Sequence, residues 1–256
     1  MSSLRDFQLV LLDILLILDK FLNENNIKYY LVGGSALGAV RHNGFIPWDD
    51  DIDIGMPRED FERFEALDFS RLEERGLLYC SIGKNVIQNA PIGYLYDRRD
   101  PESDIRKCPT IDIFPIDYIP NSNFKRKMQK LWSFVYHLST SRLPAQNRGK
   151  KAYAFTKTII LLTPKFMFRL YAKLARHNML SFGKNPTENV ANIFGMKGYN
   201  KEIMPENYLS DTVLYEFEGH MLPIPVMYNE YLTHLFGDYM TPPPRDEQNP
   251  HHKQFD

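Results

Sequence analysis

The chain has 256 residues, with 31 Lys or Arg against 32 Asp or Glu, a formal net charge of −1 and 43% hydrophobic residues. That is enough for one large α/β domain, or one domain with an appendage, around a substantial core. Its two cysteines, Cys80 and Cys108, lack CxxC spacing, which excludes a disulfide framework and a cysteine-based zinc site and fits a reducing, cytoplasmic setting.

The N-terminus has neither the basic region nor the small-residue cleavage site of a signal peptide. In "LVLLDILLILDKFL" Asp13 interrupts the apolar run, and Asp19 with Lys20 ends it, so a buried amphipathic helix closing at "NENN" is expected rather than a spanning one. "IKYYLVGGS" reads as a short strand entering a glycine turn, and "SALGAVRH" as a helix capped by Ser35 and closed at Asn43-Gly44. "DIDIGM" alternates acid and apolar with the period of a strand, Asp51 and Asp53 on one face and Ile52 and Ile54 on the other. "PREDFERFEAL" is a helix with Pro57 in its first turn, and "LLYCSIG", "IGYLYDRR" and "TIDIFPIDYIP" are three more strands. Strands interleaved with helices predict an α+β or α/β sheet domain over about residues 1–120.

The middle differs sharply. Residues 118–187 contain 14 Lys or Arg and no Asp or Glu. In "PKFMFRLYAKLARH", Lys165, Arg169, Lys173 and Arg176 form one basic stripe on a helix otherwise filled by bulky apolar residues. Three readings compete: a solvated face, a peripheral contact with an anionic membrane, and a nucleic-acid patch. The last ranks lowest, because no nucleic-acid-binding motif accompanies it. Beyond it, "FEGHMLPIPVMYNEYLTHLFGDYMTPPP" reads as a strand, a proline turn, a helix over about 226–236 stopped by Gly237, and a proline-rich loop.

The chemistry lies in "GFIPWDDDIDIGM". Like charges at alternate strand positions repel by roughly 4 kcal/mol at about 4 Å and an effective dielectric near 20. Protonation, cationic neighbours or a divalent metal would offset this, and Arg41 is the only cation shortly before the cluster. Mg²⁺ or Mn²⁺ held by Asp51 and Asp53 is the economical answer. Gly33, Gly34 and Ser35 supply a complementary piece, backbone N–H groups at a helix start that favour phosphate. Asp112, between Ile111 and Ile113, offers a third acid; Asp117 is the weaker alternative because Pro115 interrupts the register before it. Asp49 shares the parity of the pair but reads as a loop cap. Arg41 and His42 stand within reach of a phosphate or simply close a helix end. Trp48, Tyr94 and Tyr96 suit either a quaternary-ammonium cage or core packing, the latter being commoner. His220 and the pair His251 and His252 lack metal-ligand spacing.

"YYLVGGSALGAVRHNGFIPWDDDIDIGMPREDFERF" resembles the signature of the LicD family, relatives of the fukutin-type enzymes within the nucleotidyltransferase superfamily. The resemblance covers residues 27–64 and continues in "IDIFPID", "FEGHMLPIP" and "YLTHLFGDYMTPPP". It implies a nucleotidyltransferase-like mixed sheet flanked by helices, with one domain over 1–256 whose C-terminal part, 191–256, packs back on the core; the basic middle, about 121–190, matches little of it and reads from its charge as a helical insertion. It further implies that Gly34 and Ser35 hold the donor phosphate, Asp51 and Asp53 ligate metal, and Asp112 is the third carboxylate. The implied reaction moves phosphocholine from CDP-choline, or another alcohol phosphate from its CDP-alcohol, to a hydroxyl of a cell-surface glycan or its lipid-linked precursor, releasing CMP. The implied partners are that nucleotide-activated donor and glycan acceptor, with no nucleic acid. Two alternatives stay open: a nucleotidyltransferase acting on a small molecule, and a non-catalytic component of a glycan-assembly complex.

Overall fold

The computed structural model describes residues 3–81, 92–144, 149–195 and 197–249. Helix α1 (Leu4–Glu24) begins where the Ser3 hydroxyl accepts the Asp6 amide. Leu11, Ile14, Leu15, Leu18 and Leu22, three or four positions apart, are fully buried against the sheet. Asp13, the charge inside this apolar run, lies on the outer side and pairs with Arg99.

Strands β1 (Tyr30–Leu31), β2 (Ile52–Pro57), β3 (Leu77–Cys80), β4 (Gly93–Asp97) and β5 (Thr110–Tyr118) are ordered β1-β2-β5-β4-β3. β2 and β5 run parallel and the other neighbours antiparallel. Helix α2 (Gly33–His42) and helix α3 (Arg58–Glu65) flank β2, and the short α4 (Ser70–Glu73) leads into β3. The sheet is thus mixed and the architecture α+β. Ile52, Ile54, Leu95, Ile111 and Ile113 are the alternate residues that face the core.

Two local expectations are corrected here. The N-cap of α2 is Val32, three residues before Ser35, and the Ser35 hydroxyl accepts the Asp53 amide at 2.8 Å instead. Pro115 does not interrupt β5: the strand runs through it, with Pro115 opposite Met56. It falls between Ile113, where pairing with β4 stops, and Asp117, where pairing with β6 (Asn189–Ala191) starts, so a missing N–H costs the ladder little.

Residues 123–182 hold α5 (Asn123–Ser141), α6 (Lys150–Leu162) and α7 (Lys165–Phe182). α5 and α7 pack together over a second core of Ile119, Tyr136, Ala175, Met179 and Tyr199. Beyond α7, β6 pairs with β5 and with β7 (Met204–Pro205), flanking the short α8 (Tyr199–Glu202). A hairpin missed by sequence reading follows, β8 (Thr212–Phe217) and β9 (His220–Pro225). Its turn residues Glu218 and Gly219 both have positive φ, 52° and 79°, as a two-residue type I′ turn needs. The carboxylate of Glu218 pays for that conformation by bonding Arg5 and the Phe45 amide. Helix α9 (Tyr228–Phe236) ends at Gly237 with φ of 74°. β8 lies against α2 and β9 against β1, so the last third of the chain borders the glycine turn.

Candidate active site

Asp53 and Asp112 are Cα partners on the parallel strands β2 and β5, and Tyr94 on β4 is the partner of Asp112 in turn. Paired residues project to the same side, so this face reads Asp53, Asp112, Tyr94 across three strands. Asp51 immediately precedes β2 with the parity of Asp53. Acid and isoleucine alternate in both segments because neighbouring strand residues face opposite sides of the sheet. The isoleucines are core, and the acids are turned to the opposite face.

The glycine turn closes on the same acids. The Val32 amide donates to the Asp53 carbonyl at 3.0 Å, and the Asp53 amide donates to the Ser35 hydroxyl. Gly33 has φ of +54°, and a Cβ there would stand 3.0 Å from Asp53 Oδ2. A Cβ on Gly34 would stand 2.9 Å from Asp49 Oδ2. Gly33 is favoured by its backbone conformation, and a side chain at Gly34 would require the Asp49 carboxylate to shift. Asp49 is buried, and Gln8 of α1 donates to its carbonyl at 2.9 Å; Asp50 is buried beside it.

Of the turn's amides, that of Gly33 donates to the Tyr231 hydroxyl of α9 at 2.9 Å. The amides of Gly34 and Ser35 belong to the first turn of α2, where N–H groups have no carbonyl partner within the helix. Arg41 is half-buried and turned to the C-terminal segment, donating to the Tyr239 carbonyl at 2.8 Å and to His42. Burial, then the charge of Arg41, lowers the His42 pKa, and its ring meets Trp48 edge-on. Tyr96 is buried and stacks on a partly exposed Tyr94, the cross-strand partner of Asp112. His220 is exposed at the hairpin turn, and His251 and His252 lie outside the described residues.

Burial first, then the charges of Asp51, Asp112, Asp49 and Glu202, push the Asp53 carboxyl well above the usual range. Asp53 nonetheless keeps part of its surface open to solvent. Glu202 of α8 is itself buried, and burial raises its pKa to about 7 despite the Lys197 amide donating to it at 3.1 Å. Glu202 and Tyr231 are the two residues near this cluster that sequence reasoning missed. Glu202 sits in "NKEIMP", which reads as a charged surface turn. Tyr231 sits in a helix whose aromatic residues read as core. No local signal distinguishes either; both reach the site by tertiary packing.

Among the described residues, no three acidic, imidazole or thiolate groups are placed to enclose one ion. The donor chemistry does fit a hard divalent cation: several carboxylates crowd one face, and the charged form of Asp53 is disfavoured by its neighbours.

The model of the family described as LicD/FKTN/FKRP, nucleotidyltransferase domain, matches residues 26–147, which contain every acid of this cluster except Glu202. The lipopolysaccharide cholinephosphotransferase LicD of Haemophilus influenzae is 30% identical over 258 aligned positions, covering 98% of this chain and 97% of that protein. The ribitol 5-phosphate transferases FKRP of mouse and human are each 40% identical over 62 residues, 23% of this chain and 13% or 12% of theirs.

Proposed function

The chain belongs to the LicD family and is a phosphotransferase, and from that premise we propose that it transfers an alcohol phosphate, foremost phosphocholine from CDP-choline, to a glycan hydroxyl and releases CMP. The observation that carries this reading is the in-register pairing of Asp53 with Asp112 beside a glycine turn that abuts Asp53. Near-full-length similarity to a cholinephosphotransferase supports the class of reaction. The acceptor is a cell-surface glycan or its lipid-linked precursor, and the chain works in the cytoplasm, at the inner face of the membrane when that precursor is the substrate.

Mg²⁺ or Mn²⁺, when held by Asp51 and Asp53 with Asp112 as the third acid, would neutralise the donor diphosphate and the charge on the leaving nucleotide. The chain's own residues do the rest. The first-turn amides of Gly34 and Ser35 hold a donor phosphate, where the helix dipole favours negative charge. Tyr231 fixes the Gly33 peptide and the Ser35 hydroxyl fixes that of Asp53, so turn and acids keep one geometry. Arg41, anchored at Tyr239, adds positive charge at the far end of α2. Asp112 orients the acceptor hydroxyl and takes its proton. The acceptor oxygen bonds to the phosphorus bearing the alcohol, the bridging P–O bond breaks, and CMP leaves with the electron pair.

The test is calorimetric binding of CDP-choline, CDP-ribitol, CDP-glycerol and CTP, with and without Mg²⁺ or Mn²⁺, followed by product analysis. Metal-dependent binding of one CDP-alcohol and release of CMP, both lost on Asp51→Asn with Asp53→Asn, is expected. Binding of CTP alone with release of pyrophosphate would overturn the reading in favour of nucleotidyl transfer.

A further inference from the structure

The surface of α6 and α7 takes no part in the chemistry above, yet it combines exposed cations with exposed large apolar side chains. Its outer portion is a bent pair of helices, α6 and α7, joined at Thr163 and Pro164. α6 buries Thr156 alone among its 13 residues. At the elbow Leu161 and Leu162 are 82% and 75% exposed, and Phe166, one turn on, is 75% exposed. Along α7 the outward positions come in pairs, Lys165 with Phe166, Arg169 with Leu170, Lys173 with Leu174, each pair one turn beyond the last. The inward positions Phe168, Ala175 and Met179 are buried, and Arg176 ties the helix to Glu65 of α3 at 3.7 Å.

We propose that the α6–α7 elbow and the outward face of α7 form a docking surface that seats in the headgroup layer of an anionic lipid bilayer. The proposal stands apart from the reaction and holds whichever donor the site takes.

Charge and apolarity together select the partner. Residues 118–187 carry 14 Lys or Arg and no Asp or Glu, so the surface is complementary to a polyanion. A nucleic acid or an acidic glycan would satisfy the cations but leave the leucines and phenylalanine in water. A second copy of the same face would bury the apolar side chains and oppose the cations to one another. A bilayer of anionic lipid accepts both, the side chains at the boundary of headgroups and acyl chains and the cations among the phosphates. The contact is peripheral: among the described residues no helix is long and apolar enough to cross a membrane.

The test is sedimentation of the full chain with vesicles of phosphatidylcholine alone or with about one third phosphatidylglycerol, where Lys and Arg gain from anionic headgroups. Leu162→Ser with Phe166→Ser is compared with Lys165→Gln with Lys173→Gln. Both pairs are exposed, and both lie outside the acid cluster and the glycine turn. Strong binding to the anionic vesicles only is expected, weakened about tenfold or more by either pair of substitutions. In a separate Phe166→Trp variant, the added indole should shift its emission to the blue on contact with anionic vesicles. Equal affinity of the Leu162 and Phe166 variant and the native chain would overturn insertion. So would an unshifted Phe166→Trp emission, or tighter binding to a single-stranded RNA than to the vesicles. None of these readouts involves catalysis, so a failed donor assay and a failed vesicle assay are separate results.

Discussion

Replacing Glu202 by Gln should stabilise the protein, and the gain should depend on pH in a defined direction. Glu202 is buried, and its pKa of about 7 compares with an ordinary 4.5. Between those values the folded chain holds a proton that the unfolded chain has released, so stability falls as pH rises through this window. Below about 4.5 the residue has no effect. Above about 7 the full cost applies, roughly 3 kcal/mol at about 1.4 kcal/mol per pH unit. Gln keeps the oxygen that accepts the Lys197 amide and removes the charge. The variant should therefore gain about 1–1.5 kcal/mol at pH 5.5 and about 3 kcal/mol at pH 8, read from urea denaturation in a chelating buffer. An equal gain at both pH values would show that the charge is not the cause. A loss at pH 8 would show that ionised Glu202 is satisfied by its surroundings, and would refute the reasoning. Because Glu202 also raises the Asp53 pKa, its removal should lower the pH at which Asp53 ionises.

Asp53→Asn should cut turnover at least a hundredfold while leaving the metal-free fold intact, or stabilising it by up to roughly 3 kcal/mol, since cross-strand carboxylates about 5 Å apart repel by that much at an effective dielectric near 20; retained activity in the donor assay would remove Asp53 from the machinery. Gly34→Ala would drive a methyl group against the Asp49 carboxylate, and should weaken donor binding about tenfold for a stability cost of about 1–3 kcal/mol; calorimetry and thermal melting separate the two effects. Arg58 and Asp117 form a bidentate pair at 2.7 Å on the opposite face of β5 from Asp112. Arg58→Ala should cost about 3–5 kcal/mol by stranding a buried carboxylate, with partial recovery in the double variant carrying Asp117→Asn.

That last pair shows how the sequence and the fold divide the information. Asp112 and Asp117 lie five residues apart in one strand, so they project to opposite faces once Pro115 is known not to interrupt it. The period of two in "DIDIGM" and "TIDIFP" is a local property, and it assigned acids to one face and isoleucines to the other before any partner was known. The glycine turn, Asn43 in the left-handed conformation closing α2, and Gly237 ending α9 were legible for the same reason. Each depends on backbone preferences that a few neighbouring residues dictate.

Other features depend on which strands meet and in what register, and these only the tertiary structure decides. The sequence offered Asp51, Asp53 and Asp112 as a set, but the parallel pairing of β2 with β5 is what makes Asp53 and Asp112 neighbours across 59 positions of chain. It offered Ser35 as a cap, and the fold assigned that hydroxyl to the Asp53 amide. Tyr231 and Glu202 carry no local mark, because Tyr231 comes near the acids through packing of α9 on α2, and Glu202 through α8, which lies between β6 and β7 beside β5. The basic middle is the mirror case. Its charge is a compositional fact, whereas the exposure of Phe166 follows from how α7 turns its other face to α5, and that of Leu161 and Leu162 from an α6 that buries little more than Thr156. Composition and periodicity act within a few residues and are read directly from the chain; register and packing couple distant residues, and physical contact alone defines them.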